Sequence, residues 1–200
     1  MEVTISALEQ AIVTRLSVCD GKRIEAQQGP GVRYIEGYGG QLDTEEALAQ
    51  ALQKAPAIWV TYDGETSHLS GQNLIRQINM SILVLVTSYS QDELRLGGPQ
   101  VPGLYPLIET VRKDLVNNTC GLDISPLQLS SITPLWRGGP EGGGFSLAVL
   151  RFSTEVYSEA EPQPDIICDE PLLVTEWKLV PLGELGKIQN IYKPWEKEST

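Results

Sequence analysis

Apolar residues fall on every second position from Ile78 through Met80, Ile82 and Val84 to Val86. A period of two marks a strand with one face on a core. Leu83 and Leu85 make its other face apolar in the middle, so this strand, residues 78–89, is expected to be covered on both sides there. The same alternation returns over residues 145–157, FSLAVLRFSTEVY. Ala148, Leu150, Phe152, Thr154 and Val156 form its inward face, and Arg151, Ser153 and Glu155 its outward one. AIWVTY, residues 57–62, is a third strand by its β-branched and aromatic content. Asp63-Gly64 opens a turn or loop after it, and residues 66–72 read as a polar loop. Two strands joined in this way pair most simply as antiparallel neighbours.

Between the strands the period changes to that of a helix. Ile5, Leu8, Ile12 and Leu16, with Ala11, share one face over residues 4–17, and a turn at residues 19–22 is expected to end that helix. In QLDTEEALAQALQKAP, Asp43 or Thr44 is the N-cap, and Glu45 and Glu46 suit the positive end of the helix dipole. Pro56 stops the chain short, giving a helix over residues 44–54. Leu104, Leu107, Ile108, Val111 and Leu115 mark an amphipathic helix over residues 103–117. Pro106 lies in its first turn, and Arg112 and Lys113 near its C-terminal end. RYIEGY reads as a short strand, and residues 92–96 as one helical turn. Pro126 and Pro134 restrict residues 121–135 to loop or edge strand. RGGPEGGG, residues 137–144, reads as a mobile loop.

This order predicts an α+β fold: an antiparallel (mixed) β-sheet of about four or more strands packed against two to three helices. The domain is expected over residues 1–157. Residues 158–200 read as an acidic, proline-containing linker, a strand at 172–180 and a C-terminal arm. Ile191, Tyr192 and Trp195 suit an arm that docks either on its own domain or on a neighbour.

Charge narrows the function. The chain has 15 Lys and Arg against 26 Asp and Glu, a net −11. Ten acids and four bases from Glu155 onward (4 − 10 = −6) place more than half of that in the last quarter. Wrapping a phosphate backbone needs Lys and Arg to displace counterions, so this chain is not a nucleic-acid binder. The start, MEVTISALEQ, lacks the basic and apolar regions of a signal peptide, and no aliphatic run is long enough to span a membrane. Cys19, Cys120 and Cys168 are odd in number and widely spaced, as expected of reduced thiols in a cytosolic protein.

Motifs of chemistry are nearly absent. His68, the single histidine, would need a nucleophile and an orienting partner to act as a base. Zinc needs four ligands, usually in close pairs, and these are not present. RGGPEGGG has no following Lys-Ser or Lys-Thr, as a P-loop requires. Adjacent acids such as Glu45 and Glu46 do not share a helix face. No catalytic, cofactor-binding or metal-binding residues are expected. Contact residues are sought instead at Asp92, Glu93 and Arg95, at Trp136, Arg137 and Glu141, and at Tyr192 and Trp195. Buried aromatic and arginine side chains anchor most protein interfaces.

Five segments, taken together, carry a family resemblance. They are YGGQLDTEEAL (38–48), PAIWVTYDG (56–64), ELRLGG (93–98), GLYPLIETVRKDL (103–115) and GLDISPL (121–127). In this order and spacing, residues 1–157 resemble a small family of Mu-like phage and prophage proteins encoded among the tail genes, which is similar to the tail terminators of long-tailed phages. The resemblance implies a virion protein at the head-proximal end of the tail: a hexameric ring that caps the tail tube and presents a surface to the head-tail connector. Its implied partners are the tail tube protein, the connector and, for a contractile tail, the sheath protein, with DNA only as cargo in the lumen and no membrane. It offers no catalytic residue. A head-completion or neck protein, a monomeric cytosolic binding module and a small hydrolase using His68 or the 137–144 loop are the rival readings.

Overall fold

The computed structural model describes residues 3–27, 29–70, 73–88, 90–98, 101–138 and 144–159. The elements are α1 (Ile5–Glu25), β1 (Tyr34–Gly37), α2 (Glu45–Lys54), β2 (Ala57–Ser70), β3 (Asn73–Ser88), α3 (Gln91–Leu96), α4 (Leu104–Leu115), β4 (Gln128–Gly138) and β5 (Gly144–Glu159). The strands form one mixed sheet in the order β1-β2-β3-β5-β4, in which β1 and β2 are parallel and the other pairs antiparallel. This is an α+β fold, as the hydrophobic pattern predicts.

β3 lies at the centre of the sheet, and its alternation is realised as burial. Ile78, Met80, Ile82, Val84 and Val86 are all fully buried, facing Leu8, Ile12 and Leu16 of α1 and Leu104, Leu107 and Val111 of α4. Ala148, Leu150, Phe152 and Val156 of β5 join the same layer, and Thr154 is buried with them. On the opposite face Leu85 and Trp59 are fully covered, packed with Ala51 and Leu52 of α2 and with Leu83 and Leu147. The sheet therefore has a full helical layer on one side, while α2 covers part of the other.

Each helix start has a local cause. Thr4, Thr44 and Ser90 stand in extended backbone and accept from the N–H three residues on, capping α1, α2 and α3. At α2 the cap is thus Thr44, with Glu45 and Glu46 in the first turn. Gly103 precedes α4 with no side-chain cap, and Pro106 sits in the first turn, where its missing N–H is tolerated.

Three expectations need correction. Helix α1 does not stop near residue 17 but continues to Glu25. Its last turns are tied down from outside. Val32 N donates to Asp20 Oδ2 at 3.0 Å, and Arg23 Nη1 bonds Asp114 Oδ2 of α4 at 2.7 Å. These contacts outweigh the cost of about 1 kcal/mol for Gly21 in a helix. Second, Asp63-Gly64 is a bulge inside β2 and not a turn: the register with β3 shifts between Tyr62 and Gly64, and Gly64 takes φ +123°. Third, the residues between Thr66 and Ser70, His68 included, continue β2 as strand instead of forming a polar loop, so the hairpin pairs out to Ser70 opposite Asn73.

β4 is an edge strand, as Pro134 within it requires. The linker, the strand at 172–180 and the arm were expected within residues 158–200; β5 runs on to Glu159, and residues 160–200 lie outside the described residues.

Candidate functional site

Among the described residues no group of His, Cys, Asp or Glu is placed to hold a metal ion. His68 is exposed on β2 opposite Ile75. The surface offers contact chemistry instead, and it concentrates in two places.

The first is the corner where β3 hands over to α3 and α4. Ser88 Oγ donates to Glu93 Oε2 at 2.6 Å and accepts from Ser90 N at 3.1 Å. Leu94 is buried and pins the short helix to the core. Asp92, Glu93 and Arg95 are exposed beside it. The Arg95 guanidinium lies 5.6 Å from the Tyr105 ring centre, a cation–π distance that joins α3 to α4. Leu96 (63% exposed) and Tyr105 (40%) leave apolar surface open next to these charges. The turn beneath is closed by backbone: a Cβ on Gly97, at φ +85°, would lie 2.6 Å from Gly103 N. Two glycines thus allow α3 to return tightly onto α4. Beside this corner a cleft of about 230 Å³ opens, lined in part by Asp20, Arg23, Gly97 and Pro102. Of its lining, Arg23 pairs with Asp20 at 3.4 Å and also with Asp114 of α4 at 2.7 Å.

The second is the far end of the β2–β3 hairpin with the end of β5. Every residue from Glu65 to Ser70 is exposed, with Leu69 at 67% and, on β5, Tyr157 at 55%. Arg76 pairs with Glu65 at 2.8 Å across the hairpin and donates to the Val3 carbonyl at 3.5 Å, fastening it to the start of α1. The Tyr157 hydroxyl donates to Glu155 at 2.6 Å, and that bond, the largest cause, holds its pKa above the usual phenol value. Nothing in TYDGETSHLS announces this projection: its apolar content is too low to show a period, and the turn signal within it, Asp63-Gly64, falls at the bulge.

A groove of about 580 Å³ runs along α1 between Ala7, Ala11, Thr14 and Val18 on one side and Asn118 and Cys120 on the other. Burial pushes the Cys120 thiol above its usual value, so it is a poor nucleophile at neutral pH.

Of the residues singled out from sequence, the corner brings Asp92, Glu93 and Arg95 together. Trp136 and Arg137 occupy backbone positions in β4 opposite Ser146 and Phe145. Glu141, Tyr192 and Trp195 lie outside the described residues, as does most of the glycine-rich stretch at 137–144. No helix among the described residues is long and apolar enough to cross a membrane.

A family model described as "Bacteriophage Mu, Gp37" matches residues 4–157, which run from the cap of α1 to Tyr157 near the end of β5. No curated protein matches the chain.

Proposed function

The chain belongs to the bacteriophage Mu Gp37 family, a phage structural, tail-related family, and from that membership we propose that it is the tail terminator, a ring that caps the tail tube and offers the head its joining surface. The observation that carries this reading is the extent of the match, which takes in every helix and strand of the described fold except the last two residues of β5. Small α+β domains suit such a role because a ring needs rigid subunits with two unlike contact patches that close head to tail. The α3–α4 corner supplies one patch of suitable chemistry: Asp92 and Arg95 beside exposed Leu96 and Tyr105.

The acidic balance fits a ring around a DNA path. A net charge of −11 repels the passing phosphates and keeps DNA from adhering. The exposed acids Asp43, Glu45 and Glu46 at the start of α2 are candidates for the inner wall. A ring structure with these acids facing outward would remove that part of the reading.

Deletion of the gene from its phage tests the whole. Tails of uncontrolled length, or tails that fail to join heads, are expected. Tails of normal length that lack only the connection to filled heads would point instead to a neck protein, and normal virions would refute both.

A further inference from the structure

The two edges of the sheet are not equivalent. On its outer side β2 is paired with β1 only at Ala57–Val60, and no strand lies beyond Val60 among the described residues. Tyr38 N donates to the Val60 carbonyl at 2.8 Å, which fixes residues 58, 60 and 62 as those whose backbone groups point outward. The extra residue at Asp63 reverses that parity. Past the bulge, Gly64, Thr66 and His68 bond to β3, and Glu65, Ser67 and Leu69 direct their N–H and C=O groups away from the sheet. On the other edge, Ser125 N donates to the Glu155 carbonyl at 2.8 Å, so odd-numbered residues of β5 face β4. Ser131 and Thr133 then bond to β5, and Pro134, opposite Ala148, faces out. A proline there removes a donor from the middle of the open edge, a known device against strand addition. The β2 edge has no such block after its bulge.

We propose that the β2 edge from Glu65 to Leu69 is a docking strand for a second copy of this chain, joined antiparallel about a two-fold axis through Ser67. One open edge suffices for an isologous contact, whereas a head-to-tail joint would need a ladder on β4 that Pro134 interrupts. The register follows from charge. Centred on Ser67, each Glu65 stands opposite the partner's Leu69; centred on Glu65, two carboxylates would oppose each other. Leu69, the most exposed of the large apolar side chains among the described residues, gains cover from the added strand. Five residues a side fall well short of the roughly 800 Å² per partner of a stable complex, so the joint is weak and reversible. It goes beyond the terminator reading and does not depend on it: the ring contacts are head to tail and lie elsewhere.

The test uses the full chain with Ser67→Cys under mild oxidation, the bond located by mass spectrometry. A two-fold through this residue sets the two introduced thiols on directly opposed strand positions, close enough to bridge, and a covalent dimer is expected. Ser70→Cys is equally exposed but is opposed by the partner's Gly64, and about tenfold less cross-linking is expected there. Ser67→Pro removes an outward N–H that β3 does not use; it is expected to abolish the dimer in sedimentation while leaving the thermal midpoint nearly unchanged. Equal cross-linking at both sites, cross-linking only when Ser67→Cys is mixed with Ile132→Cys on β4, no cross-linking at any concentration, or a dimer that survives Ser67→Pro would each overturn the proposal. So would a Ser67→Cys bond that forms only to added tail tube protein. Tail-length control in phage carrying Ser67→Pro separates the two ideas, since it is expected to be normal if the ring is built elsewhere.

Discussion

The indole Nε1–H of Trp59 donates to Glu36 Oε1 at 3.1 Å, and Lys54 Nζ stands 3.1 Å from the same oxygen. One carboxylate thus ties β1, β2 and the last turn of α2 together over the partly covered face of the sheet. Lys54 also lies 5.2 Å from the Tyr34 ring centre. Trp59 is fully buried, so its N–H must find an acceptor, and Glu36 is the one it finds. Trp59→Phe keeps most of the packing and loses the bond; it is expected to cost about 1–2 kcal/mol in denaturant unfolding. Trp59→Ala removes the packing as well and is expected to cost about 3–5 kcal/mol. Equal losses for the two variants would show that the hydrogen bond, and not the ring volume, dominates.

The same carboxylate sets a pH dependence. The Lys54 bond, first, and the Trp59 bond, second, hold Glu36 below the ordinary value of 4.5, against a smaller opposing effect of burial. A depressed carboxyl stabilises the fold fully above its unfolded value and loses that contribution as pH falls through the folded value. The gap in thermal midpoint between the native chain and Glu36→Gln is therefore expected to be constant near neutral pH and to shrink below about pH 4.5. A gap unchanged down to about pH 3 would exclude this carboxylate as the cause.

Gly103 packs its Cα against the backbone of Gly97 and Leu96 so closely that a side-chain carbon has no room. The obstacle is main chain, which cannot swing aside as a side chain can. Gly103→Ala is expected to cost about 1–3 kcal/mol and to free α3 from α4. Hydrogen exchange should show the loss as faster exchange at Leu94 and Arg95, with the amides of β3 unaffected. Protection at Leu94 equal to that of the native chain would mean that the corner tolerates a wider turn.

These sites show what was legible in the sequence. The buried faces of β3 and β5 were, because apolar residues alternating with polar ones leave one register that buries them. The cap of α2 and the apolar stripe of α4 were legible for the same local reason. The end of α1 was not: Cys19-Asp20-Gly21-Lys22 has turn chemistry, and only Asp114 and Val32, distant in sequence, hold it helical. The outer half of β2 was also hidden, because a strand exposed on both faces carries no hydrophobic period. At the candidate corner, Asp92, Glu93 and Arg95 could be named from their polarity. The Arg95–Tyr105 stack depends on a return of the chain that only the Gly97–Gly103 contact makes possible.

Pro134 is the residue whose replacement separates edge protection from stability. It faces outward on β4, so Pro134→Val restores a donor that no neighbour among the described residues needs. The sheet itself is expected to lose nothing, and the thermal midpoint should hold or rise because valine favours strand. The cost appears in solution behaviour. With the β4 edge open as well as the β2 edge, each copy presents two unlike ladders, and contacts between them need not close. Light scattering is expected to show growth past the dimer at concentrations where the native chain stops there. Adding Ser67→Pro to Pro134→Val should reverse the growth, since it blocks the other half of that contact. Growth that persists in the double variant would place the association on β4 alone. No growth in either would mean that something other than proline guards this edge.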